Sequence, residues 1–277
     1  MNIIEFQNIE SKIEDYTYTS FKYLSFEDIK NYEVKKNTHD MIIIHGCDQM
    51  TKLDEVIYAC HDFDLLMQEL NNYPNSLIKH IPNEWVQKLK ALGFLEYAIF
   101  RDYWIQDITS FNDKYNQVLI AKLEDAKIIS DITKENKGES RSFFGEHEDF
   151  MTTWILGTQS GLINMKATHP RIYLYKEKNQ ILGVALTCIY GHDHIKGPVL
   201  WMREIAVKKA YHHQGIGKKL ILTALFNAKN EGAKRSFLMA DDLNRHAINL
   251  YEKIGYKPNL EEQEINMLTP KSAFMLK

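Results

Sequence analysis

The chain has 277 residues, 44% hydrophobic and 26% charged, the composition of an ordinary globular protein of one large or two ordinary domains, and no apolar run nears the roughly 20 residues that span a bilayer. Its net charge of −3 conceals an imbalance: residues 1–116 carry 11 Lys and Arg against 19 Asp and Glu, and residues 117–277 carry 23 against 18. No basic run of the kind that grips nucleic acid is present, and the three unevenly spaced cysteines, Cys47, Cys60 and Cys188, argue against a disulfide framework.

The opening MNIIEFQNIESKIEDY lacks a basic segment followed by an apolar one, so no signal peptide is expected and the cytoplasm is the expected compartment. The runs YTYTSFKYLS, MIIIHG and EVIYACHDF read as strands, rich in β-branched and aromatic residues. DFDLLMQEL reads as a short helix and SLIKHIP as a strand. NEWVQKLKALGF (83–94) reads as a helix stopped by Gly93, followed by the strand LEYAIFRDYWIQ. The polar, turn-rich SFNDKYNQ (110–117) marks the expected domain boundary, giving domains 1–114 and 115–277.

The second half begins with the strand QVLIAKL and the helix EDAKIISDITKEN. A loop, KGESRSFFGEHED, leads to a second helix, DFMTTWILGTQ. RIYLYKEKNQILGVALTCIYG predicts a hairpin turning over 176–179. The loop GHDHIKG precedes the strand PVLWMREIAV. IGKKLILTALFNAKNEG predicts a helix, RSFLMA a strand, and NRHAINLYEKIG a helix capped by Asn244 and stopped by Gly255. Two short strands fit in the tail. The order predicts an α/β fold built on a mixed sheet.

Between PVLWMREIAV and its helix lies YHHQGIGKKL. Strand, glycine loop and helix is the arrangement that aims unpaired backbone N–H groups at an anion. Two nucleotide-binding patterns fail here: a Walker A loop needs Gly at 212 and Ser or Thr at 219, which are His212 and Lys219. A dinucleotide fingerprint needs Gly at 220, which is Leu220. Standing alone, the loop reads equally as a simple helix-start turn.

REIAVKKAYHHQGIGKKLI followed by LMADDLNRHAINLYEKIGY resembles the GNAT superfamily of acyl-CoA-dependent N-acyltransferases over about residues 117–270. His212 departs from that family's usual Arg or Gln, and His213 from its common Gly. The resemblance implies transfer of an acetyl group from acetyl-CoA, as co-substrate, to a primary amine of a small molecule or peptide. It places the diphosphate on the loop of His212, His213, Gln214, Gly215, Ile216, Gly217 and Lys218. It places the pantetheine arm along Ile205, Ala206 and Val207, with Asn244 reaching it. It implies Tyr251 as the acid toward the thiolate and Glu204, directly or through water, as the base. His192 and His194 are the alternative bases. Glu146, Glu148 and Asp149 would suit a cationic acceptor. A protonated His212 would add a charge-assisted bond to phosphate, predicting tighter acetyl-CoA binding near pH 6 than near pH 8, a dependence that His212→Gln should abolish.

HDH, EHED and HH lack the helical spacing of a metal site, so no metal is expected, nor a nucleic-acid or membrane partner. The chain is expected as a monomer or homodimer. NEWVQKLKALGF also aligns in register with RHAINLYEKIGY (245–256): Gly93 falls on Gly255, Val86 on Ile248 and Leu89 on Tyr251. The first half therefore reads as a diverged, smaller copy of the same GNAT-like fold, without glycine loop or acid, or else as an unrelated accessory domain. A non-catalytic acyl-CoA-binding or partner-binding module on this fold is the alternative function.

Overall fold

The computed structural model describes residues 1–22, 24–49, 51–141 and 143–272. The chain divides into two compact units, one of Met1–Ile99 with the described residues from Glu264 on, the other of Phe100–Gln263. The expected boundary at 114/115 is displaced for a definite reason. The strand ahead of it pairs along six positions with a strand of the second unit, so its outer half, from Phe100, belongs there.

The first unit contains α1 (Ile3–Glu10), β1 (Tyr18–Thr19), α2 (Phe26–Ile29), β2 (Glu33–Asn37), β3 (Met41–Cys47), β4 (Asp54–Cys60), α3 (Phe63–Leu70), β5 (Leu77–Ile78) and α4 (Val86–Ala91), and the start of β6 (Leu95–Ile105). The helices α1 and α2 and the strand β2 carry no clear signal in the sequence, and YTYTSFKYLS shortens to a two-residue strand. β2, β3 and β4 pair antiparallel, and β5 lies parallel to β4 across the α3 connection. MIIIHG is apolar at successive positions because both faces are covered: Met41 and Ile43 pack in one core, Ile42 and Ile44 in the other.

The second unit adds β7 (Val118–Ile120), α5 (Ala126–Glu135), α6 (Glu148–Leu156), α7 (Ser160–Asn164), β8 (Thr168–Glu177), β9 (Gln180–Tyr190), β10 (Val199–Val207), α8 (Ile216–Asn230), β11 (Arg235–Asp241), α9 (Arg245–Ile254) and the start of β12 (Lys257–Leu268). The tail is one twelve-residue strand rather than two short ones. The β8–β9 hairpin turns at Lys178 and Asn179, both at positive φ, as a two-residue turn requires. β7 to β10 are antiparallel neighbours, and β11 runs parallel to β10 after the α8 crossover. The helices α8 and α9 cover one face; α5, α6 and α7 cover the other.

The two units share a topology. In each, three consecutive antiparallel strands lead through a helix to a fourth strand parallel to the third and then to a helix, and the fourth strand takes an antiparallel partner from a segment distant in sequence. In the first unit the partner is Met267 and Leu268 of β12 against β5; in the second it is residues 100–105 of β6 against β11. Two differences set the first unit apart. Only His61 and Asp62 separate β4 from α3, and Asp62 caps α3 with its own carboxylate, accepting the Leu65 N–H at 2.9 Å. In addition, β1 pairs with β4 at Ala59 and Cys60, beyond the β5 pairing at Glu55 and Val56. The edge of β4 beyond β5 is filled by the chain itself. Leu89, aligned with Tyr251, is fully buried.

Candidate active site

The second unit leaves open what the first unit fills. β10 pairs with β11 only through Val199, Leu200 and Trp201; beyond Trp201 its pairing continues with β9 alone. The edge of β10 facing away from β9 therefore has no strand partner over its last residues, where the Val207 carbonyl accepts from His212. Lys208 N–H bonds the Leu182 carbonyl on β9 at 2.8 Å. By the two-residue alternation of a strand, the backbone groups of Ile205 and Val207 point the other way, to the open edge.

A bulge shapes the middle of β10. Met202 pairs with Thr187 and Glu204 with Leu186, so Arg203 is the extra residue. Before it, Leu200 and Met202 face the α8–α9 core; after it, Ala206 faces the α5–α6 core. The inserted residue places Arg203 and Glu204, neighbours in sequence, on the same α5–α6 side. There the Arg203 guanidinium lies 4.4 Å from the Phe150 ring centre and 5.7 Å from that of Trp154. It pairs with Glu146, from the loop before α6, and with Glu204 at 3.1 Å.

Glu204 is only 7% exposed. One carboxylate oxygen meets Arg203; the other, Oε1, is buried and accepts no hydrogen bond among the described residues. Burial pushes this carboxyl up to about 7, because desolvation and the neighbouring Glu146 charge outweigh the Arg203 cation. A buried acceptor without a donor costs stability, so its presence asks for a donor from outside the chain.

The glycine loop forms the second part of the site. Gly215, at φ +75°, caps α8, and His213 holds the left-handed conformation at φ +61°. Among the described residues, no hydrogen bond is formed by the backbone N–H of His213, Gln214, Gly215, Ile216, Gly217 or Lys218. Six consecutive free donors thus lie at the positive end of a fifteen-residue helix, the arrangement that favours an anion. Gly183 on β9 lets that turn approach: a Cβ there would meet Ile216 at 2.8 Å. His212 turns inward, donating from Nε2 to the Val207 carbonyl at 2.7 Å, so only its Nδ1 is left to meet an anion. Lys218 is exposed beside the loop, whereas Lys219 turns to β8 and donates to the Tyr175 hydroxyl at 3.1 Å.

Asn244 caps α9, accepting the Ala247 N–H at 3.2 Å, and its amide NH₂ donates to none of the described residues. Tyr251, on the same helix, packs in the α8–α9 core together with Ile205 and Val207. Burial alone pushes its phenol up to about 12, and its hydroxyl makes no hydrogen bond among the described residues. Glu204 and Tyr251 thus approach the open edge of β10 from opposite faces of the sheet. His192 and His194 do not join them: their loop precedes β10, at the other end of the strand. His192 bonds Thr168, and His194 accepts the Lys196 N–H. Glu148 and Asp149 are exposed in the first turn of α6.

No pattern in the sequence points to Arg141. Its guanidinium grips Asp241, at the end of β11, and Asp242, and its own N–H donates to Asp241 at 2.8 Å. This clasp ties the loop between α5 and α6 to the end of the strand that diverges from β10.

Residues 129–256 match the model of the acetyltransferase (GNAT) family. Among solved structures, a GCN5-related N-acetyltransferase from Sphaerobacter thermophilus is 10% identical, covers 91% of this chain and 88% of its own, and superposes with a TM-score of 0.57. An acetyltransferase of the GNAT family from Colwellia psychrerythraea is 14% identical, with 97% of each chain covered and a TM-score of 0.55. At that identity the likeness is one of fold, and it spans both units. No curated protein matches the sequence.

Proposed function

Because residues 129–256 match the model of the acetyltransferase (GNAT) family, we propose that the chain moves an acetyl group from acetyl-CoA to a primary amine of a small molecule or peptide by direct transfer. The observation that carries the proposal is the open edge of β10 between the free N–H groups of residues 213–218 and the unpartnered Oε1 of Glu204.

In this reading the loop N–H groups hold the diphosphate, and the outward backbone groups of Ile205 with the Val207 N–H, whose carbonyl His212 occupies, hold the pantetheine arm as an added strand would. One of their N–H groups meets the thioester carbonyl oxygen as negative charge develops there. Glu204 accepts a proton from the amine, and acetyl-CoA supplies the activated acyl thioester. An ordinary alkyl ammonium holds its proton to about pH 10.4, so a carboxylate beside it lowers the cost of exposing the lone pair. Glu146, beside Arg203, adds negative charge on the side from which a cationic acceptor would enter.

Tyr251 serves best as a hydrogen-bond donor to the departing sulfur. A phenol near 12 stays neutral across the working pH range. Full transfer of its proton to a thiolate of ordinary pKa near 8.5 would be uphill by roughly 5 kcal/mol.

The test is release of the CoA thiol from acetyl-CoA in the presence of a panel of primary amines. Equal amounts of thiol and N-acetyl product are expected. Acetyl-CoA binding without turnover on any acceptor would leave the non-catalytic module, which the His212 substitution of the family's Arg or Gln favours. A separate result is expected for Gly183→Val. The added branches would push the first turn of α8 off β9, costing about 1–3 kcal/mol of stability by overpacking. Calorimetric titration with CoA should show weakened binding in the same variant.

A further inference from the structure

Two buried side-chain polar atoms among the described residues have no hydrogen-bond partner. One is Glu204 Oε1; the other is Nε of Arg235, at the first residue of β11. Arg235 is only 7% exposed, and among the described residues no carboxylate pairs with it. Its Nη2 donates to the Gly197 carbonyl at 3.2 Å and meets His194 Nδ1 at 3.3 Å, while Nη1 donates to none of the described residues. The guanidinium lies 5.3 Å from the centre of the Trp104 ring. Buried charges are ordinarily paired, because removing an unpaired ion from water costs several kcal/mol. This cation has neutral acceptors on one nitrogen and an aromatic face, and no counter-charge among the described residues.

Arg235 lines an open pocket of about 950 Å³. The pocket lies where β10 and β11 begin, at the opposite end of those strands from the open edge that carries the proposed reaction. Lys196 and Lys257 line it together with Arg235, against the single lining carboxylate of Asp107. Trp104, Ile105 and Val199 supply an apolar wall. His194 Nδ1 accepts the Lys196 N–H at 3.0 Å and faces Arg235 Nη2, so the neutral ring carries its proton on Nε2 and presents a further donor. Donors and positive charge converge in a cavity of ligand-binding size.

We propose that this pocket is a second ligand site, for a small organic anion whose carboxylate or phosphate group pairs with Arg235 and whose apolar body lies on Trp104. The anion supplies the counter-charge that the described chain does not. The site is independent of the acyl transfer proposed above.

The test follows the Trp104 indole N–H in ¹H–¹⁵N spectra of the whole chain, assigned with Trp104→Phe, during titration with benzoate and separately with inorganic phosphate at constant ionic strength against chloride. This probe separates the pocket from the glycine loop, where phosphate also fits. Saturable movement is expected with benzoate at concentrations on the order of millimolar, and a response to phosphate as well would assign recognition to the charge alone. Affinity should fall at least about tenfold in Arg235→Met. No saturable movement with either probe, or undiminished affinity in Arg235→Met, would overturn the proposal. Should Arg235→Met not fold, the exposed pair Lys196→Gln and Lys257→Gln together must weaken binding about tenfold; unchanged affinity in that double variant overturns it equally.

Discussion

Tyr251→Phe is expected to lower kcat by about 10²-fold while leaving the dissociation constant of acetyl-CoA within about twofold. The phenol ring belongs to the core that also holds Ile205, Val207 and Ile248, and phenylalanine keeps that packing. Only the hydroxyl is lost, and it makes no hydrogen bond among the described residues, so no partner is stranded by its removal. The stability of the variant should therefore match that of the wild type in thermal melts. Such a separation of turnover from binding and folding is what a donor to the leaving sulfur requires. An unchanged kcat would remove Tyr251 from the reaction.

Glu204→Gln carries the second large effect and moves activity and stability in opposite directions. Loss of the proposed base should lower kcat/KM by about 10²-fold or more at pH 8. In the wild type the carboxyl titrates at about 7, and only the ionised form accepts a proton. The rate should therefore climb as pH rises through about 7, and that limb should be missing from the variant's pH profile. The stability effect follows from the same shift. The native carboxyl at about 7 holds its proton more tightly than the ordinary value of 4.5 that an unfolded chain would show. Its contribution is thus fully present below about 4.5 and is lost as pH rises through 7. Above pH 7 the wild type carries a buried, half-satisfied charge that glutamine does not. Glu204→Gln should be more stable than the wild type at pH 8, by about 1–3 kcal/mol, and no more stable at pH 4. Urea denaturation at the two pH values reads this difference. A residue retained for packing alone would show neither the missing limb nor the stability crossover.

The same logic of satisfied and unsatisfied groups separates the two units. Each is built on the same run of strands and helices, yet in the first Asp62 caps α3 and β1 fills the edge of β4. In the second the corresponding helix has no side-chain cap and the corresponding edge is open. A site in this fold is the place where the chain declines to complete its own hydrogen bonding.

Much of this is local and was readable in the residues. The apolar runs of β3, β4 and β9, the stripe of α8, the Asn244 cap and the Gly255 stop depend on neighbours within a few positions, and they fold as read. The free N–H groups of the glycine loop follow equally from a strand, a glycine and a helix start in succession. What lay beyond the sequence are pairings between distant segments. Residues 100–105 join the second unit because their partner is β11, about 135 positions away in the chain, and the bulge at Arg203 exists only in register with β9. That bulge turns Glu204 onto the α5–α6 side, where Arg203 and Glu146 set its charge. Arg141 reaches Asp241 across 100 residues, and Arg235 is left without a counter-ion among the described residues by strands whose ends meet only in the folded sheet. Periodicity, caps and turns are properties of a few consecutive residues, so the sequence alone determined these elements and the loop. Register, burial and electrostatic neighbourhood arise from long-range contacts, so only the tertiary structure decided how the Glu204 carboxyl is tuned, which edge stays open and where an unpaired cation waits among the described residues.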